Sequence, residues 1–371
     1  ILVPAAFSGS GGMSEGTLSS SKTRARIVVS DLHLGEGRRN WNGSLNVLED
    51  FTVDQRFVEF VEYYSKAYEQ VELVLNGNFF EMLRCRAVVD YPDVLFETYA
   101  VELVRVQMDG HVHVIDALRR FMENPDHRLI YIIGEADVGV FWPKVQDEMR
   151  SRISQRIEFF PASFLADGIY IEHGHQLESM YRIDIVEPFK QVDGLGVLSL
   201  PWGAFFNAHF VQPLRKIRPQ FYRVRPMKNY LLWSLLFETR FFMKVVFQFI
   251  QMLLSASSRR LYPGNSLGTI FSIFSQSADT ESLEEQAELL TNNEEIQKVI
   301  LAHSHIPNYR LFRNGKEYFN SGTWTKNLSL DLRTLGSFHK LTYVLLEFRG
   351  LDVRGKLMEW KGRHEVVEDF I

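Results

Sequence analysis

The chain has 371 residues, of which 46% are hydrophobic and 23% are charged, and its formal net charge at pH 7 is −5. This composition is typical of a globular protein, and the length allows one large domain with an insertion. The acidic net charge excludes an overall basic field, so we expect no nucleic-acid partner. The single cysteine, Cys85, excludes intrachain disulfides and fits a reducing compartment, which predicts a cytoplasmic protein.

The N-terminal segment, residues 1–23, is rich in serine and glycine. It lacks the basic region, apolar core and cleavage site of a secretion signal. Its composition predicts a disordered linker or N-terminus, and we expect the ordered chain to begin at residue 24.

Five short apolar segments are predicted as strands that each lead into glycine or polar residues. They are Ala25–Ser30, Val71–Asn76, Leu129–Ile133, Gly168–Glu172 and Lys298–Leu301. Between them, Asp54–Tyr64 and His113–Phe121 have apolar residues near the helical period. Alternating strands and helices predict an α/β fold whose strand ends converge on one place.

The C-terminal part is predicted to close the fold with sheet. The predicted strands are Glu317–Asn320, Thr342–Phe348 and Arg354–Trp360, with a turn at Arg349–Asp352. We therefore assign residues 24–186 and 296–371 to one domain and residues 187–295 to an insertion.

The residues after the five strands carry the chemistry. In chain order they are Asp31-Leu32-His33, Gly77-Asn78, Gly134-Glu135-Ala136, His173-Gly174-His175 and Ala302-His303-Ser304-His305. Their order resembles that of the calcineurin-like metallophosphoesterases, with Asp-x-His, Gly-Asp, Gly-Asn-His-Asp, a lone histidine and Gly-His-x-His. The resemblance covers residues 26 to about 326 without the insertion, and only the ordered set of blocks makes it specific. It implies a metallophosphoesterase-type β-sandwich flanked by helices, with a helical cap.

The resemblance also implies two divalent metal ions and a phosphate-ester substrate. We expect Mn²⁺ first, with Fe, Zn or Mg as alternatives, because carboxylates and imidazoles suit such ions. One ion would take Asp31, His33 and His305, and the other would take His173 and His303. Asn78 occupies the bridging position and Glu135 that of a ligand of the second ion. A metal-activated hydroxide attacks phosphorus in such enzymes.

Three of these positions depart from the family pattern. Asn78 replaces the bridging aspartate and contributes no charge, whereas Glu135 replaces a neutral asparagine and restores part of it. Ala136 stands in place of a catalytic histidine that contacts phosphate or protonates the leaving group. Asp137 would support that histidine, and His175 would support a ligand or contact substrate. Because acid–base help is worth roughly 10²–10⁴ in rate, we expect impaired catalysis.

The insertion is aromatic and locally basic, without an acidic residue from Gly194 to Phe237. Glu238, Arg240 and Lys244 interrupt its apolar stretch, so a membrane-spanning helix is not expected. One interpretation is a helical cap packed on the main domain, and the other is a membrane-surface or acyl-chain-binding element; both can hold. The expected lipid-binding residues are Arg215, Lys216, Arg218, Arg223, Arg225, Trp202 and Trp233. The acidic segment 279–295 then returns the chain to the last metal-binding strand.

The character of this insertion is loosely similar to the basic helical cap of the UDP-diacylglucosamine pyrophosphohydrolases of lipid A synthesis, without a diagnostic motif. The first functional hypothesis is therefore a metal-dependent phosphoesterase of weakened activity. Its substrate would be a phosphodiester or pyrophosphate, lipid-linked or a nucleotide-lipid. The alternative is a non-catalytic metal- or lipid-binding pseudoenzyme, peripheral on the membrane surface. The oligomeric state is left open.

Overall fold

The computed structural model describes residues 23–40, 42–83, 94–192, 194–219, 221–225, 227–258, 280–329, 336–350 and 352–362. Cys85 and residues 1–22 lie outside these ranges. The predicted disordered N-terminus therefore stays a prediction.

The strands and helices are numbered in chain order. The strands are β1 (Arg24–Val29), β2 (Gln70–Asn76), β3 (Arg128–Ile132), β4 (Glu158–Phe160), β5 (Ser163–Ala166), β6 (Ile169–Glu172), β7 (Phe189–Val192), β8 (Leu195–Leu198), β9 (Val224–Arg225), β10 (Lys298–Leu301), β11 (Asn308–Leu311), β12 (Glu317–Asn320), β13 (Asn327–Ser329), β14 (Gly336–Phe338), β15 (Thr342–Arg349) and β16 (Asp352–Glu359). The helices are α1 (Asp54–Ala67), α2 (Glu97–Gly110), α3 (Val112–Phe121), α4 (Pro143–Arg152), α5 (Trp202–Phe206), α6 (Gln212–Ile217), α7 (Met227–Phe237), α8 (Thr239–Ser258) and α9 (Thr280–Leu290).

Two large sheets form the centre of the protein. The first has the strand order β16-β15-β1-β2-β3-β4, in which β1 to β4 are parallel and β15 and β16 are added antiparallel. The second has the order β11-β12-β10-β6-β5, with β6, β10 and β12 parallel. Parallel strands place their carboxyl ends at one edge, so β1, β2, β3, β6 and β10 can all deliver residues to the same place.

The alternation of side chains along β1 shows how the layers pack. Val28 belongs to the apolar core shared with Ile171 and Ile300 of the second sheet. Its neighbours Ile27 and Val29 point the other way and belong to the core under α1, α2 and α3. On the far side, α9 packs on the second sheet through Leu283 and Ala287. This is a β-sandwich flanked by helices, so the α/β prediction is confirmed.

The predicted elements agree closely with the observed ones. The five strands that lead to the site all exist, and none of their bounds differs by more than one residue. Helix α1 runs three residues further than predicted, to Ala67. Strand β16 begins two residues earlier, at Asp352. Strong apolar periodicity predicts whether a segment is a helix or a strand more accurately than it predicts where the segment ends. The ends depend on capping and fraying.

The insertion folds as a mainly helical cap on the first sheet's helical side. Helix α5 continues through a π-helical turn, Asn207–Val211, into α6. Its aromatic side chains stack in series, with 5.8 Å between the ring centroids of Trp202 and Phe206 and 4.9 Å between those of Phe206 and Phe210. All three belong to the same core as the helices of the main domain. None of the helices in the described part of the chain combines the length and apolarity needed to span a bilayer.

Among the residues expected to bind lipid, Arg215 and Trp202 are buried and Arg223 is half-buried, so these three do not lie on an open surface. The Arg215 side chain is 1% exposed, and its Nη2 donates to the Leu48 carbonyl at 3.0 Å and to Asp50 Oδ1 at 3.2 Å. The Arg223 guanidinium lies 3.0 Å from the same carboxylate. Trp202 is buried in the aromatic series. The two arginines attach the cap to the loop that follows β1.

The other expected lipid-binding residues lie differently. Lys216 and Arg218 are exposed, and Arg218 pairs with Glu238 at 2.7 Å. Trp233 is partly exposed and stacks on Tyr230. The side chain of Arg225 lies outside the described residues. These exposed positions remain compatible with a surface role.

Removing the buried guanidinium should loosen the cap. We expect Arg215→Ala to lower the free energy of unfolding by about 3 kcal/mol, because it leaves a buried carboxylate with fewer partners. The matched change Arg218→Ala breaks an exposed ion pair and should cost under about 1 kcal/mol. Urea unfolding followed by tryptophan fluorescence measures both; equal losses would contradict the structural role of Arg215.

Candidate metal centre

The backbone is unusual where the predicted metal ligands lie. Five of the seven have a positive φ: Asp31 (50°), His33 (53°), Asn78 (52°), His303 (65°) and His305 (61°). Among the other non-glycine residues described, only Asp167 shares this feature. Non-glycine residues pay roughly 1–3 kcal/mol for such conformations, which concentrate at functional sites. The strain aims side chains from three strand ends at one point.

The first cluster is formed by Asp31, His33 and His305, which are all buried. Asp31 Oδ1 lies 3.5 Å from His33 Nε2 and 3.3 Å from His305 Nε2. The two Nε2 atoms are 3.3 Å apart. Donor atoms bound at about 2.0–2.1 Å in the tetrahedral geometry of Zn²⁺ are separated by about 3.3–3.4 Å. The three atoms therefore fit one coordination sphere.

Glu81 fixes the orientation of His33 in the first cluster. Its Oε2 lies 2.7 Å from His33 Nδ1. Because a carboxylate accepts the Nδ1 proton, the lone pair of His33 is directed from Nε2 towards Asp31 and His305.

The second cluster is formed by Glu135, His173 and His175. Glu135 Oε2 lies 3.0 Å from His173 Nε2 and 3.9 Å from His175 Nδ1. The Asn76 carbonyl accepts a hydrogen bond from His173 Nδ1 at 2.9 Å. The lone pair of this imidazole is therefore on Nε2, which is the atom able to bind a cation. His303 joins at the side, with its Nδ1 3.0 Å from Glu135 Oε1.

Several atoms of the second cluster are buried without satisfied hydrogen bonds. Within the described residues, no hydrogen-bond partner of acceptable geometry contacts Glu135 Oε2, His173 Nε2, His303 Nδ1 or either ring nitrogen of His175. Buried polar atoms normally have partners, so these exceptions leave room at this cluster for a further polar group, such as a water molecule, a substrate oxygen or an ion. His175 lies among these atoms, and burial lowers its pKa to about 3, which keeps the imidazole neutral.

Asn78 lies between the two clusters. Its Nδ2 donates to Asp31 Oδ1 and to Glu135 Oε1, both at 3.0 Å. Its Oδ1 accepts from the backbone N–H of Ala136 at 2.8 Å. The amide therefore joins the two carboxylates by hydrogen bonds at the position where the resemblance implies a metal-bridging aspartate.

Burial opposes ionisation of both site carboxyls, but neighbouring imidazoles outweigh it. His173 and His305 hold the pKa of Asp31 well below its usual range, and His303 and His173 do the same for Glu135. The pKa of His303 is raised well above its ordinary value, against the effect of burial, by Glu135 and Glu178. The carboxylates are therefore ionised and can act as ligands.

Asp137, which was expected to support a histidine at position 136, contacts the backbone of two loops and a tyrosine. It is fully buried, and it accepts from Gly134 N at 2.6 Å, Phe79 N at 2.9 Å and the Tyr131 hydroxyl at 2.6 Å. Burial raises its pKa to about 6. Asp137 is therefore a positioning residue that ties together the loops after β2 and β3. Ala136, beside it, offers no imidazole.

Two neighbours of the second cluster were missed from the sequence. Glu178 is buried, with Oε2 3.5 Å from His303 Nε2, and the Tyr181 ring packs on the His303 ring at 5.0 Å. A Cβ at Gly203 of α5 would lie 2.4 Å from Tyr181, so the cap approaches this tyrosine closely. Neither residue follows a strand, so no pattern marked them. Through them the cap borders the site.

A comparison with solved structures finds phosphoesterases of low similarity to this chain. No family model matches the chain, and no curated protein matches it either. Among solved structures, a dimetal phosphatase from Danio rerio matches with 10% identity and a TM-score of 0.36, covering 92% of this chain and all of that one. Calcineurin-like phosphoesterase YfkN from Bacillus subtilis matches with 10% identity, a TM-score of 0.35 and 92% coverage of both chains.

A third solved structure is a conserved uncharacterised protein from Streptococcus pneumoniae TIGR4, described as a predicted phosphoesterase. It has 11% identity, a TM-score of 0.31, and coverage of 94% of this chain and 96% of that one. At these scores the likeness does not establish a family. The function is inferred below from the residues of the site.

The Glu81–His33 contact predicts the effect of one substitution. Glu81→Gln keeps the volume but removes the charge that orients His33, so we expect Mn²⁺ affinity to fall about 10-fold or more. The control Glu123→Gln, at an exposed glutamate, should leave the affinity unchanged. Isothermal titration calorimetry measures both. Equal affinities of Glu81→Gln and the parent protein would show that this contact does not support a cation ligand.

Proposed function

We propose that the protein is a metal-dependent phosphoesterase of weak activity that acts on a phosphodiester or pyrophosphate in a lipid-linked or nucleotide-lipid molecule. The observation that carries the proposal is the convergence of carboxylates and histidine nitrogens from the ends of β1, β3, β6 and β10 on two adjoining clusters, with the Asn78 amide after β2 between them. Their donor set suits divalent cations such as Mn²⁺, with Fe, Zn or Mg as alternatives.

A divalent cation, when bound, lowers the pKa of a water molecule and stabilises the charge that develops on phosphate oxygens. The protein supplies the rest. Glu81 and the Asn76 carbonyl orient His33 and His173, so that both direct Nε2 inwards. Burial excludes competing water, which strengthens each electrostatic contact with a phosphate group.

The expected weakness also comes from residues of this chain. Ala136 removes the imidazole that would protonate the leaving group, a contribution of roughly 10²–10⁴ in rate. The Asn78 amide donates its two N–H groups to Asp31 and Glu135, and it carries no negative charge. Binding can therefore survive better than turnover.

These same two residues favour the second candidate function, a non-catalytic metal- or lipid-binding protein. A site that keeps its histidines and loses its phosphate-facing imidazole can hold a ligand without converting it. The distinguishing property is residual hydrolysis by the parent protein in the presence of Mn²⁺.

The proposed lipid contact rests on the exposed face of the cap. Four large apolar side chains of α8, each between 49% and 67% exposed, recur at helical spacing. They are Met243, Phe247, Ile250 and Leu254. The exposed cations Arg240 and Lys244 flank this stripe. An apolar helix face bordered by cations suits the interface of an anionic membrane.

Restoring the family residues at the three positions that depart from the family pattern should raise the rate of phosphodiester hydrolysis. We expect the triple change Asn78→Asp, Glu135→Asn and Ala136→His to raise Mn²⁺-dependent hydrolysis of bis(p-nitrophenyl) phosphate about 100-fold or more. The same triple variant with His303→Ala should lose the gain, which assigns it to this site. A restored and folded variant that is no faster than the parent would contradict the phosphoesterase proposal.

Membrane contact is tested by sedimentation with vesicles of phosphatidylcholine and phosphatidylserine. We expect the full-length protein to bind them, and Arg240→Glu with Lys244→Glu to weaken binding by about 10-fold, since each cation contributes roughly 1 kcal/mol. The control Lys66→Glu with Arg313→Glu reverses two exposed cations outside the cap and should change little. Equal binding by the two double variants would exclude the α8 stripe as the contact.

A further inference from the structure

We infer that the centre holds one tightly bound divalent cation, at Asp31, His33 and His305, and that the Asn78 amide takes the place of a ligand shared between two cations. The inference rests on the proposed cation-binding function and deepens it by fixing the number of ions. It follows from the orientation of one amide and from the unequal geometry of the two clusters.

The orientation of the Asn78 amide is determined by its neighbours. The Ala136 N–H contacts Oδ1, so a flipped amide would set two donors against each other. The flip would also turn a carbonyl oxygen towards the carboxylates of Asp31 and Glu135, both now bonded to Nδ2. Gly134 lies so close that a Cβ there would come within 2.3 Å of Asn78 Oδ1. The amide therefore has one satisfactory arrangement.

This arrangement removes the atom that two cations would share. A metal ligand must present a lone pair, whereas the amide nitrogen presents two N–H groups and is not basic. The hydrogens occupy the space between Asp31 Oδ1 and Glu135 Oε1. These N–H groups offset part of the repulsion between the two carboxylates. In their absence, a cation bound between the carboxylates would offset it.

The first cluster is the better site for the single ion. Its three donor separations lie between 3.3 and 3.5 Å, close to the edges of one coordination sphere. Asp31 Oδ2 accepts from the His303 N–H at 3.1 Å, which orients the carboxylate. In the second cluster the separations from Glu135 Oε2 are 3.0 and 3.9 Å, so its donors must move before they can share an ion.

The test counts bound manganese in the full-length protein. After equilibration with Mn²⁺ and gel filtration, elemental analysis should give one equivalent per chain. His305→Gln should lose that equivalent, whereas the matched change His175→Gln in the second cluster should keep it. Circular dichroism of each variant establishes that it is folded.

A third variant tests the amide directly. Asn78→Asp should bind two equivalents, and without metal it should melt at a lower temperature than the parent, because three carboxylates then meet. Adding Mn²⁺ should restore its melting temperature more than that of the parent.

The outcomes separate the two proposals. Two equivalents in the parent protein, or one equivalent that His175→Gln abolishes and His305→Gln preserves, would overturn the single-ion inference and leave the phosphoesterase proposal standing. No bound manganese, zinc or iron under any condition would overturn both.

Discussion

The meeting of five parallel-strand ends at one edge of a two-sheet sandwich is the constraint on which the site depends. Asp31, Asn78 and His303 are held there with left-handed backbone, so that their side chains turn inwards at the end of a strand. The packed core beneath resists relaxation, because Val28 and its partners in both sheets are buried. A rigid scaffold can thus hold buried charges that would otherwise repel or take up water.

Charge balance within that scaffold explains how the carboxylates, the amide and the histidines of the site are arranged. Asp31 and Glu135 lie on either side of one amide, and histidines surround them. Hydrogen bonds from Asn78 and ionic contacts with imidazoles stabilise the carboxylates before any cation binds. Because these contacts already stabilise the two carboxylates, a second cation would add less stabilisation. In the proposed function, Asn78 and Ala136 together favour retention of a ligand over rapid turnover.

The sequence was a good guide wherever a local pattern carried the information. Apolar runs predicted β1 and β10 within one residue of their bounds, and the structure brings together Asp31, His33 and His305, which follow these two strands. The sequence could not reveal that Arg215 would be buried, because its partner Asp50 is 165 residues away. Nor could it orient the Asn78 amide, since that depends on the backbone of Ala136. Long-range packing decides such details.

Direct location of the ion is the most decisive measurement. Crystals of the parent protein grown with Mn²⁺ and measured at the manganese absorption edge should show one anomalous peak enclosed by Asp31, His33 and His305. The Asn78 amide should still join Asp31 and Glu135 in that crystal. A peak among Glu135, His173 and His175 instead, two equal peaks, or none at all would contradict this account.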